Sequence, residues 1–176
     1  MHAISLWQPW ASLCVLPARD SLAYPEKRFE TRGWSPPRWI IGRRVAIHAA
    51  AKWTGRLLRL AQSEPFASIF ARHGIDVTAR PAGRGRLLRP LPLGAVVGSV
   101  IIDRVERAED VRGALNLDQL RLGDYSHPGR FAWQLMQPRS LDVPIPLLGQ
   151  QGFWKFDSTF VLASALMANA PCPSPR

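Results

Sequence analysis

A chain of 176 residues can bury roughly 70% of its extended surface, so it needs neither a metal nor a disulfide to build a core. Its two cysteines, Cys14 in an apolar run and Cys172 in a Pro-rich tail, lack metal-ligand spacing and suit a reducing, cytoplasmic compartment better than a disulfide. The formal net charge of +10, carried by 20 Arg and only 3 Lys, argues against an acidic solvating chain and fits a polyanionic partner: RNA, a nucleotide or DNA.

Residues 1–158 are expected to form one domain. Ala3 to Leu6 reads as a first strand. Ala3 to Leu16 is apolar but is broken by Gln8 and Pro9 and has no basic leader, so neither a signal peptide nor a membrane span is expected. Pro9 suits the first turn of a short helix reaching about Leu16, where its missing N–H is not needed. Arg28 to Arg32 alternates as a second strand, Gly33 to Gly42 is a loop, and Arg43 to Ala50 is a third strand. Thr54 is a plausible N-cap for a short helix carrying Leu57, Leu58, Leu60 and Ala61. A second helix spans Glu64 to Arg72 and stops at His73-Gly74.

Residues 77–93 change character. Arg80, Arg84, Arg86 and Arg89 stand among Pro and Gly, the pattern of a mobile basic insertion. It is expected to fold over the mouth of a cleft and to touch phosphates without base specificity. Gly94 to Val105 is a long apolar strand, followed by an acidic patch of Glu106, Glu109 and Asp110. A short helix is expected over Leu115 to Leu122, and strands over Arg130 to Leu135 and Gly152 to Phe156. Residues 159–176 complete a terminal helix, starting near Ser158, and a disordered tail. Short strands with two or three peripheral helices give an α+β chain built on a small β-barrel.

The chemistry concentrates in Glu-Lys-Arg-Phe-Glu-Thr-Arg-Gly-Trp, residues 26–34. Alternation puts Lys27, Phe29 and Thr31 on one face and Arg28, Glu30 and Arg32 on the other. Two cations around one carboxylate, ending at a turn with Trp34, suit the wall of a polar pocket. Lys27 is out of phase with Glu30 and Arg32 in a regular strand; a bulge or the pocket mouth can bring it round. The plain structural alternative is a surface ion-pair ladder worth ~0–1 kcal/mol. Trp7 and Gln8 flank the first helix start, where N–H groups and a stacking ring can meet a nucleotide. His48 is a candidate substrate contact or a base near neutral pH, although a strand His is more often structural. Lys52 and Arg56 follow it as phosphate contacts. Arg130 is expected at the pocket rim, while Trp133 and Trp154 belong to the core.

Four blocks carry a resemblance: Ser5-Leu6-Trp7-Gln8-Pro9-Trp10-Ala11; Lys27-x-x-Glu30-x-Arg32; Ile47-His48-Ala49; and Gly129-Arg130-Phe131-Ala132-Trp133 with Gly149-Gln150-Gln151-Gly152-Phe153-Trp154. In this order, over residues 2–156, they resemble the ASCH-domain family of the PUA-like superfamily. The resemblance implies a PUA-like barrel with a cleft for RNA or a modified nucleoside; the residues show no metal-ligand cluster, so no metal or cofactor is expected. It also implies a divided activity, since some members bind nucleic acid, some resemble ribonucleases and some are amidohydrolases acting on acetylcytidine. The amidohydrolase branch reads Lys-x-x-Thr-x-Arg; here Glu30 stands at the Thr position and Thr31 is one residue off. Two functions therefore stay open: binding of single-stranded RNA or a nucleotide, and hydrolysis with Glu30 as base and Lys27 or Arg32 stabilising the anion. A third is a fold-only module acting through a protein partner.

Overall fold

The computed structural model describes residues 1–79, 90–155 and 157. β1 (His2–Leu6), β4 (Phe29–Arg32), β5 (Arg43–Ala49), β6 (Ala95–Arg107), β7 (Phe131–Pro146) and β8 (Phe153–Lys155) form one sheet in the order β4-β7-β6-β5-β1-β8. Its pairings are antiparallel except β1 with β5, which run parallel with Ser5 opposite His48. β2 (Pro17–Ala18) and β3 (Ser21–Pro25) make a separate antiparallel pair.

The sheet twists until its two edges approach. Trp34, just beyond β4, lies edge-on to Phe153 of β8 with ring centroids 5.9 Å apart, and Trp133 of β7 stacks on Phe153 at 5.8 Å. No ladder joins β4 to β8, so the architecture is α+β: a curled half-barrel whose gap is bridged by rings. Inside the curl, Ile4, Leu6, Val45, Ile47, Val100, Ile102, Trp133 and Leu135 pack around Ala11, Cys14 and Val15 of the first helical turn and its exit. Each such side chain contributes about 1.5–3 kcal/mol on burial.

Five short helices lie outside the sheet among the described residues: α1 (Trp10–Leu13), α2 (Gly55–Ala61), α3 (Phe66–Arg72), α4 (Ala108–Arg112) and α5 (Leu117–Leu122). The Thr54 cap forms, its Oγ1 accepting from the Leu57 N–H at 3.3 Å. Asn116 caps α5 in the same way, accepting from the Gln119 N–H at 2.9 Å. Leu13 joins α2, α3 and α5 in a second apolar cluster with Val77 and Leu91. Both flanks of the expected basic loop are thus anchored in a core. Arg80, Arg84, Arg86 and Arg89, like the expected terminal helix, lie outside the described residues.

β2, β3 and α4 fall where no strand or helix is expected, and α1, the acidic patch and β7 differ from expectation. α1 ends at Leu13, with Pro9 as its N-cap rather than inside its first turn. The acidic patch is divided: Glu106 lies in β6, one residue before its end, while Glu109 and Asp110 occupy the first turn of α4, where carboxylates favour the helix dipole. β7 runs through Pro138 and Pro144 to Pro146, far beyond Leu135. Proline cannot donate to a ladder. Both prolines fall where the β6–β7 register skips, between Met136 and Arg139 and between Ser140 and Ile145. Gln137, at φ 48, forms the first of these bulges, and Arg44 Nη1 donates to its carbonyl at 2.9 Å.

The second skip involves Gly98. A Cβ there would lie 2.2 Å from the Arg139 carbonyl oxygen and 2.8 Å from Val15 Cβ, so two strands and the α1 exit meet over bare backbone. Gly98→Ala is expected to cost about 1–3 kcal/mol or more by overpacking. Urea unfolding checks this; an unchanged midpoint would mean that the three segments can separate freely.

Candidate functional site

A hollow of about 460 Å³ opens along the free edge of β4, where the half-barrel fails to close. Its wall includes Lys27, Glu30, Thr31 and Arg32 from β4 and the bend before it, and Ser5 and Trp7 from the end of β1. α1 adds Trp10, and α5 with the loop after it adds Arg121, Gly123 and Asp124; Arg130 completes the wall. A second hollow of about 630 Å³ shares Ser5, Trp7 and Arg32 with the first. It continues past Trp34 and Ala50 to residues 149–152. The two form one cleft between the sheet edges.

Lys27 reaches this wall because it is not on the strand. It lies in a bend held by three backbone bonds: Glu26 N–H to Leu16 O at 2.8 Å, Lys27 N–H to Leu13 O at 3.0 Å, and Leu135 N–H to Arg28 O at 2.8 Å. Gln119 of α5 adds two more, accepting from Arg28 N–H at 3.0 Å and donating to Glu26 O at 2.6 Å. The bend turns Lys27 inward, where its side chain is 2% exposed, and Nζ sits 3.0 Å from Glu30 Oε2 while donating to the Phe29 carbonyl. Arg32 Nε lies 2.8 Å from Glu30 Oε1. That contact is an ion pair by distance, but the N–H is not aimed for a hydrogen bond. Burial alone would push the Glu30 carboxyl up; the charges of Lys27 and Arg32, with the Lys27 ammonium donor, outweigh it and hold the group below its ordinary value. Cys14, nearby and enclosed, has its thiol pushed up to about 12, chiefly by burial, so it stays protonated.

Thr31 also reaches the cleft, although alternation assigns it to the other face. The hollow follows the strand edge, so residues of both faces border it. Thr31 Oγ1 accepts from the Asp124 N–H at 2.9 Å, and Arg130 Nη2 donates to the Thr31 carbonyl at 2.9 Å. Arg130 Nε approaches Asp124 Oδ2 at 3.3 Å. Burial pushes Asp124 up, but His127, the Ser126 N–H and Arg130 hold it below its ordinary value. Four cations, Lys27, Arg32, Arg121 and Arg130, thus face two carboxylates, Glu30 and Asp124. The imbalance favours an anionic ligand.

Of the other expected contacts, Trp7 is 48% exposed, with Lys52 Nζ over its ring at 4.5 Å, and Trp34 is 39% exposed. Both border the outer hollow. Gln8 does not border the cleft. It is fully buried, donating to Ser12 Oγ and the Pro92 carbonyl and accepting from the Ser12 N–H. Arg56 lies on exposed α2, away from the described wall of the cleft. His48 is 2% exposed, between Ser5 Oγ at 3.2 Å and the Leu147 carbonyl at 2.9 Å, against the Trp154 ring. Sequence reasoning passed over Arg121, Asp124 and Ser5. Arg121 and Asp124 lie some 90 residues from β4, and no local pattern ties them to it.

Burial lowers the His48 pKa from 6.5 despite the opposing Leu147 carbonyl. A depressed value means the unfolded chain takes up the proton first. The corresponding stability is complete above pH 6.5 and is lost as pH falls below it and through the folded value. Glu30 behaves likewise below 4.5. Urea midpoints are therefore expected to fall in two stages on acidification. A midpoint that rises between pH 6.5 and 4.5 would contradict this placement of His48.

No helix among the described residues is long and apolar enough to cross a membrane. No family model and no curated protein sequence matches the chain. Among solved structures it is similar to ASCH from Zymomonas mobilis, with 14% identity, a TM-score of 0.49 and coverage of 94% of each chain. It is likewise similar to two point variants of that protein, at 14% identity and TM-scores of 0.49 and 0.48, covering 94% of this chain and 96% and 94% of theirs.

Proposed function

We propose that this chain binds single-stranded RNA, or a nucleotide, in the cleft between the edges of its half-barrel. The observation that carries this is the pairing of a cation-rich inner hollow with an outer hollow bordered by two exposed indoles, Trp7 and Trp34. Guanidinium forks of Arg32, Arg121 and Arg130 suit phosphate oxygens, and an indole face suits any base. The resemblance of the four sequence blocks to ASCH domains points the same way. Filter binding of a short RNA across a salt series tests it. Affinity should fall steeply, with a log–log slope of about −0.7 per phosphate contacted. Weak binding indifferent to salt would refute it.

Hydrolysis by Glu30 acting as base is the weaker alternative. Both its oxygens are engaged, and its depressed pKa makes it a poor proton acceptor. A Glu30→Gln variant with undiminished turnover of RNA or acetylcytidine would remove Glu30 from any such mechanism.

A further inference from the structure

We propose that Ser5 is a nucleophile, activated by His48, toward carboxylic esters carried by the ligand of the cleft. Ser5 and His48 face each other across the parallel β1–β5 pair, and their side chains meet, Oγ to Nδ1, at 3.2 Å. The Leu147 carbonyl, 2.9 Å from Nε2, can only accept, which assigns the imidazole proton to Nε2 and leaves the Nδ1 lone pair facing Ser5. The Trp154 indole N–H donates to Ser5 Oγ at 3.3 Å. With one lone pair taken in that way, the hydroxyl proton of Ser5 is directed to Nδ1.

Access separates this pair from an ordinary cross-strand contact. Ser5 is half-buried and borders both hollows, so its oxygen stands where they join. Gly149 comes close on the outer side: a Cβ there would lie 2.3 Å from His48 Cε1 and 2.7 Å from Ser5 Oγ. Only bare backbone fits beside the Ser5–His48 pair at that position. Arg32, which also borders both hollows, is the cation available to a developing oxyanion.

The reaction balances without a co-reactant other than water. Ser5 Oγ forms a bond to the ester carbonyl carbon, its proton passes to His48 Nδ1, and the π pair moves to the carbonyl oxygen. Collapse breaks the bond to the leaving alkoxide, which takes the proton from Nδ1. Water then attacks the acyl-serine, again giving its proton to Nδ1, and Ser5 departs reclaiming it, with a free carboxylic acid as the second product. A carbonyl behind the imidazole stabilises the imidazolium less than a carboxylate would, so turnover should be slow. The identity of the alcohol rests on the nucleotide-binding proposal; the nucleophile does not.

The test is labelling of the full chain with a small alkyl fluorophosphonate, in which the Oγ–P bond forms as fluoride leaves. Peptide mass mapping should place a single adduct on Ser5, and Ser5→Ala should show none. Because His48 stays neutral at and above pH 6.5, the labelling rate should level off there and fall in acid. No adduct on Ser5 in the folded wild-type chain overturns the proposal. A rate that rises without limit as pH increases, as for a free hydroxyl, overturns it as well. RNA filter binding on the same preparation separates the two claims. RNA binding without labelling sinks the nucleophile alone, whereas labelling without RNA binding upholds it and sinks the nucleotide ligand.

Discussion

Glu30→Ala is expected to destabilise the fold by about 3–5 kcal/mol, because it strands a buried cation. Lys27 is 2% exposed and, among the described residues, has one carboxylate partner, 3.0 Å away. Arg32, at 29%, can turn to water when Glu30 is removed; Lys27, fixed in the clamped bend, cannot. In a chain of this size the melting temperature should fall by on the order of 10 °C. The contrast is Asp20→Ala at the Arg28–Asp20 pair, whose side chains are 33% and 68% exposed respectively; that loss should stay within about 0.5 kcal/mol. Replacing both enclosed charges, Lys27→Met with Glu30→Leu, should recover most of the stability while changing the cleft wall. Thermal melts of the three variants beside the wild type decide the matter. A loss below about 1 kcal/mol for Glu30→Ala would show that water reaches Lys27 and that the ion pair is a surface pair.

Trp7→Ala should act on binding and leave the fold alone. The indole is 48% exposed and its visible contact is the cation of Lys52 over one face. A base stacked on it contributes about 1–3 kcal/mol, so RNA affinity should drop roughly 5- to 150-fold with melting nearly unchanged. Arg121→Ser should instead weaken all RNA sequences alike and reduce the salt slope by about one phosphate contact. Equal affinity for wild type and Trp7→Ala would remove stacking from the account.

Periodicity marked the sheet well where strands are apolar and uninterrupted, as in β1, β5 and most of β6. It misjudged β7, because two prolines normally end a strand and only the ladder shows that they sit in bulges. β2 and β3 escaped because two-residue and Pro-ended segments carry no period. The grouping of Lys27, Glu30 and Arg32 was visible as chemistry, but not the bend that brings Lys27 into phase. That bend depends on Leu13, Leu16 and Gln119, and the last is 92 residues away. Gln8 and His48 illustrate the converse. Both are polar residues in quoted motifs. Gln8 spends its polar atoms on the interior, whereas those of His48 meet the Leu147 carbonyl on one side and Ser5, at the cleft, on the other. Only tertiary partners, Ser12 and Pro92 for one, Ser5 and Leu147 for the other, reveal that.

The most direct measurement of where the ligand sits is photo-crosslinking of a short RNA containing 4-thiouridine, with the attachment sites mapped by mass spectrometry. A ligand in the cleft should join to Trp7, Trp34 and residues 149–152, and unlabelled RNA should compete for those sites. Crosslinks instead around Arg43, at the start of β5, and Arg139, midway along β7, would contradict the assignment of the cleft as the binding site.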